Sequence, residues 1–271
     1  MNDVTAGQLA LLFVSIALFA VGAGLSVSRL WWEGNRLRIA AKVCLYLGTA
    51  AGLGTLVWHS AQRGRWYPLE DNFDALIWLG LLLAGFVLYT QRVHPLRGLD
   101  GFIVPIVVLL LVSAAVFGKA KPHEYNVTSV WAWVHRVTAY GGALSLFVAG
   151  AAGAMYLIVY RRLRAKPPLP GPRLGSLERL EHLTFVSVTL GFSLLTIGAV
   201  TGLARWTEAG RTIPLAKVVL TAVVWVVYAI VLHSPINPSF RGRKTAILSV
   251  FGFVLMVGTV MAVQFMPEDT R

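Results

Sequence analysis

Residues 137–160, VTAYGGALSLFVAGAAGAMYLIVY, run for 24 positions without an aspartate, glutamate, lysine or arginine. A helix rising about 1.5 Å per residue needs about that length to cross a hydrocarbon core of about 30 Å. Arg136 closes the run on one side, and Arg161 and Arg162 close it on the other. Seven further stretches read the same way: 4–28, 43–62, 75–91, 101–118, 182–204, 218–240 and 245–267. Backbone N–H and C=O groups in lipid have no water to bond, so each run is predicted to be an α-helix. The fold class is therefore all-α: a polytopic membrane protein, a bundle of about eight transmembrane helices. The first run lacks a basic residue ahead of it and is longer than a signal-peptide core, so it is expected to remain as a helix.

Composition agrees. The chain has 271 residues, 56% hydrophobic and 13% charged, where a soluble domain carries about a quarter charged residues. Mean hydropathy is +0.68. The connections are short, predicting one helical domain over 1–271. The proline-rich segment Lys166–Pro172 is a stiff spacer, where the first five runs would part from the last three. Pro105 is expected to bend the fourth run, and Pro214 to start the seventh.

The net charge of +12 is a topology signal. Taking connections alternately, one side carries 15 bases against four acids, whereas the other balances eight against eight. The positive-inside rule then puts both termini outside. Nucleic-acid binding is not expected, because the basic loops are short and scattered; the lipid bilayer is the partner the charges address. The single cysteine, Cys44, excludes an internal disulfide, a Cys-x-x-Cys redox pair and a Cys-x-x-Cys-His haem attachment. No run carries an acid or lysine at mid-depth, which weighs against an ion-coupled carrier.

Histidine is the remaining chemistry. His59, His123 and His135 fall at the predicted outer surface, and His94, His182 and His233 at the inner one. Neutral imidazole is an axial ligand for haem iron, and an apolar helix bundle suits a flat apolar macrocycle. His135 sits one turn inside its helix with Trp131 four residues earlier on the same face. His233 ends the seventh run. His94 and His123 read as loop residues, and His182 as a helix-boundary residue. Most tryptophans fall at predicted interfaces, as an aromatic belt requires. The spacings Gly48–Gly52 and Gly198–Gly202 read as close helix packing.

Four stretches resemble a known family. Gly64-Arg-Trp-Tyr-Pro-Leu-Glu-Asp-Asn-Phe-Asp-Ala-Leu76 is similar to a family helix entry, with Asp74 in its acid position. Trp133-Val-His-Arg-Val-Thr-Ala-Tyr140 places His135 at the family's outer histidine. Gly191-Phe-Ser-Leu-Leu-Thr-Ile-Gly-Ala-Val-Thr-Gly202 is the most specific of the four, and Trp225–His233 with Phe240–Ala246 completes the set. The chain thus resembles, over about 59–255, the cytochrome c assembly family of CcsA- and ResC-like membrane proteins, and within it the shorter HemX-like branch.

That resemblance implies haem handling in cytochrome c biogenesis or haem homeostasis, in the inner (plasma) membrane, beside other cytochrome-assembly or haem-pathway membrane proteins. Haem b would be held without a covalent bond by His135 and His233, with His59 and His182 as their candidate partners. One departure bears on activity. The family's Trp-rich outer segment corresponds here to Ala204–Pro214, which holds a single tryptophan. Cytochrome c synthase activity is therefore not expected, and a non-catalytic scaffold or regulator is the alternative.

Overall fold

The structure, a computed structural model, describes residues 5–32, 34–64, 66, 71–93, 96–117, 129–165, 174–208, 215–233 and 242–265. His94, His123, Lys166–Pro172 and Pro214 lie outside them. Among these residues eight helices follow in order: α1 (Ala6–Ser28), α2 (Asn35–Arg63), α3 (Asn72–Val93), α4 (Asp100–Phe117), α5 (Val130–Arg164), α6 (Leu177–Glu208), α7 (Leu215–Leu232) and α8 (Arg243–Phe265). No strand occurs among the described residues.

The helices start and stop where the side chains dictate. Thr5 caps α1 in a reciprocal box with Gln8, satisfying backbone donors that a helix start leaves open. α2 ends at Gly64, whose φ of 68° closes the helix in the left-handed region that glycine adopts without a Cβ penalty. Asp71 caps α3, its Oδ1 accepting the Asp74 N–H at 2.7 Å. Pro105 lies inside α4.

Seven of the eight helices are long and apolar enough to cross a membrane. The exception is α4, whose apolar stretch over 100–116 is short and begins at Asp100, which is buried in an ion pair with the half-buried Arg29. Arg29 Nη1 meets Asp100 Oδ2 at 2.7 Å, and Ser26 Oγ donates to the same oxygen. The helices expose apolar side chains in number, among them Phe13, Val57, Ile197, Val200 and Val218. A soluble protein would hide such faces; lipid solvates them.

By internal contacts the chain forms two compact units, Met1–His123 with Arg162–Gly175, and Glu124–Arg161 with Ser176–Arg271. The first holds α1 to α4. In it Ser15 Oγ of α1 donates to Gly48 O of α2 at 2.9 Å, and Phe19 lies against Gly48 where any side chain would sit. The second unit holds most of α5 with α6, α7 and α8. The division falls before α5 rather than in the proline-rich connection behind it. The reason is packing: small residues let α5 lie directly on α6 at Gly142 and on α8 at Gly153.

Candidate functional site

In the second unit, Ser129 caps α5, and His135 follows in the second turn, half-buried. Its Nδ1 lies 2.7 Å from Gly198 O of α6. A carbonyl only accepts, so Nδ1 carries a proton, and in the neutral ring the lone pair is then on Nε2. Glycine makes this approach feasible. A Cβ at position 202 would stand 2.8 Å from His135 Cε1 and 2.9 Å from Nδ1. One turn earlier, a Cβ at Gly198 would already touch Thr138 and Ala139 of α5. The Gly198–Gly202 pair is thus the close helix packing its spacing predicts, with an imidazole seated in it.

His233 repeats the chemistry with local partners. It closes α7 exposed, its Nδ1 2.7 Å from Ala229 O one turn back. Again Nδ1 is the donor and Nε2 the basic nitrogen. His182 is exposed on α6, next to Glu181, whose carboxylate accepts the Gly242 N–H at 3.3 Å. Trp131 is 47% exposed in the first turn of α5.

His59 belongs to the first unit, apart from the other three histidines by that division. It is buried near the end of α2, and its Nε2 lies 3.0 Å from Asp71 Oδ2. Arg63, one turn further along α2, pairs with Asp71 at 3.0 Å and with Asp74 through Nη2 and Oδ2. Asp74 is 1% exposed. Burial alone would raise the Asp71 carboxyl, but the His59 hydrogen bond, the Asp74 N–H and the charges of His59 and Arg63 outweigh it. Its pKa is held below the ordinary 3.8.

The depth argument for His59 as a haem ligand did not foresee this ion cluster. The signal was available: His59 and Arg63 are four residues apart, so they share a helical face, and Asp71 and Asp74 bracket the first turn of the next helix. Arg136, buried at 5% exposure beside His135 in the chain, is a second charged residue that sequence reasoning left without a role.

These features define a multi-pass helical membrane protein that presents histidines with fixed tautomers. The chain belongs to the cytochrome c assembly protein family, whose model matches residues 66–269. That span holds His135, His182 and His233 and leaves His59 outside. The chain is 26% identical to the cytochrome c biogenesis protein CcsA of Guillardia theta over 230 residues, covering 74% of each chain. It is 25% identical to CcsA of Thermosynechococcus vestitus over 291 residues, covering 90% of this chain and 88% of the other. Among solved structures, the cytochrome c haem lyase CcmF superposes with a TM-score of 0.62 at 14% identity, over 97% of this chain and 52% of CcmF. At that identity the likeness is one of fold, and the chain spans about half the length of CcmF.

Proposed function

We propose that this protein binds or passes haem b, held without a covalent bond, during cytochrome c assembly or haem homeostasis. His135 is the principal ligand at one surface and His233 at the other. The observation that carries the reading is the His135–Gly198 hydrogen bond. A ligating histidine usually donates its second ring nitrogen to a carbonyl or carboxylate, which sets the tautomer and raises the basicity of the ligating nitrogen. His135 is held in that state by a partner on a different helix, in a notch where a side chain at 202 would not fit. The neutral imidazoles of His135 and His233 would hold haem through its iron, the group that would supply the bound cofactor's redox chemistry.

Each residue then has a defined task. His135 and His233 offer Nε2, and their Nδ1 protons stay on Gly198 O and Ala229 O. His182 is the candidate partner of His233, and Trp131 offers an exposed apolar ring one turn from His135. His59, in the first unit, keeps its bond to Asp71, and we assign it no haem role. The orientation we propose puts both termini outside the inner (plasma) membrane, with other cytochrome-assembly or haem-pathway membrane proteins as partners. We do not assign the covalent attachment step to this chain, because Ala204–Pro214 holds one tryptophan where the family's synthases are Trp-rich.

The test is haem titration of the purified protein in mild detergent, wild type beside His135→Ala and His233→Ala. The proposal expects bis-imidazole α and β bands on reduction, with loss of at least tenfold in affinity in one or both variants. Equal binding by both folded variants would remove these residues from the site. A folded protein that stays colourless would leave the scaffold or regulator reading.

A further inference from the structure

The His59, Asp71 and Asp74 cluster has no task in that reading. Among the described residues it is the set of three metal-ligating side chains whose donor atoms all lie within 4.8 Å of one another. Two carboxylates face one guanidinium, Arg63, so whenever both carboxylates are ionised and the His59 ring is neutral the four side chains carry one net negative charge. Independently, Asp74 Oδ1 is buried without a hydrogen-bond partner and lies 4.0 Å from His59 Nε2. A buried carboxylate oxygen left without a donor costs free energy unless a cation or donor meets it.

We propose that His59 Nε2, Asp71 Oδ2 and Asp74 Oδ1 bind one divalent cation of the zinc class at the end of the first unit where α2 stops and α3 starts. The donor set decides the class. One imidazole nitrogen with two carboxylate oxygens suits a borderline ion such as Zn²⁺ better than the all-oxygen cages of Ca²⁺ or Mg²⁺. Three protein ligands leave a fourth position for water or another group.

The geometry is close to what such an ion needs. At ~2.0–2.2 Å from a tetrahedral ion, two ligands stand about 3.3 Å apart. His59 Nε2 and Asp71 Oδ2 are 3.0 Å apart, so the ion takes the place of the hydrogen between them, and His59 binds as the neutral tautomer with its proton on Nδ1. Asp74 Oδ1, at 4.0 Å from the imidazole, closes by about 0.7 Å, a small side-chain rotation. Arg63 holds Asp71 Oδ2 and the other oxygen of Asp74, which orients both carboxylates as outer partners of metal ligands do. The Asp74 N–H on Asp71 Oδ1 does the same from the backbone.

The test needs no haem. Full-length protein in detergent is stripped with a chelator and titrated with Co²⁺, followed by d–d absorption, then with Zn²⁺ in competition. One equivalent of Co²⁺ should bind and be displaced by Zn²⁺, and folded His59→Ala or Asp74→Asn should weaken binding at least 100-fold. His59→Cys is the variant that misfolding cannot imitate, because it should add a thiolate-to-cobalt charge-transfer band that wild type, with its Cys44, lacks. A wild type that takes up no Co²⁺ would overturn the proposal. So would an unchanged affinity in folded His59→Ala or Asp74→Asn, a His59→Cys protein without the new band, or binding lost instead in a His182→Ala/His233→Ala protein.

Discussion

Replacing Gly202 with alanine adds a single methyl group where the structure leaves no room for it. The new carbon would stand 2.8 Å from His135 Cε1 and 2.9 Å from Nδ1, against an ordinary contact of about 3.5–4.0 Å. The ring must therefore withdraw by roughly 0.7 Å, carrying a 2.7 Å bond to Gly198 O beyond the useful range of about 3.2 Å. Overpacking of this kind costs about 1–3 kcal/mol, and the lost bond about 0.5–1.5 kcal/mol. Alanine returns about 1 kcal/mol of helix propensity. The net destabilisation is about 0.5–3.5 kcal/mol, which the helix bundle should survive.

The effect on a ligand held by His135 should be larger in proportion. Removing the outer partner of a ligating histidine typically costs 10–100-fold in affinity. The assay is haem titration followed at the Soret band, with thermal unfolding followed by circular dichroism in the same detergent. Gly24→Ala is the control, since a Cβ there meets nothing within 4 Å; its affinity should be unchanged and its stability unchanged or raised. A folded Gly202→Ala protein that binds haem like wild type would refute the role given to the notch.

Other expectations follow from the charged residues and the topology. Arg63→Met leaves the Asp71 and Asp74 carboxylates buried without their guanidinium, and should lower stability by about 3–5 kcal/mol, read as a drop in Tm; an unchanged Tm would contradict the burial of the cluster. Because the Asp71 pKa lies below 3.8 in the folded protein, its ionised form stabilises the fold at neutral pH. That contribution is lost as pH falls from about 3.8 through the folded value, so Asp71→Asn should flatten the acid limb of a stability-against-pH curve. Reporter tags on both termini should read as non-cytoplasmic; a cytoplasmic signal from either would reverse the charge-based orientation.

The helices were legible because lipid imposes a length and a charge rule on every span. What the rule blurred was their ends. α2 begins at Asn35, well before the charge-free run at 43, because Arg36 and Arg38, both exposed, and the half-buried Lys42 continue the helix. Such long basic stems reach water without ending a helix. Asp100 read as a loop charge but is buried with Arg29 and Ser26, since an acid at a helix start is favoured by the helix dipole and a paired charge tolerates burial.

The site divides in the same way. His135 and His233 were legible from residue type and from resemblance to a family. The hydrogen bond that fixes the His135 tautomer was not, because its acceptor lies 63 residues away on another helix and helix pairing is not written in spacing. The Gly198–Gly202 pair showed that two helices come close there, but not that an imidazole fills the gap. The Arg63–Asp71–Asp74 cluster was missed for a simpler cause. Its charges lie at helix ends, where unpaired surface residues are the ordinary expectation.

The most direct test of the central claim is the visible spectrum of the purified wild-type protein after haem addition, oxidised and then reduced with dithionite. The account predicts near-stoichiometric haem with a Soret band and sharp α and β bands on reduction, diminished in His135→Ala. A folded protein that remains colourless in the presence of haem would contradict it.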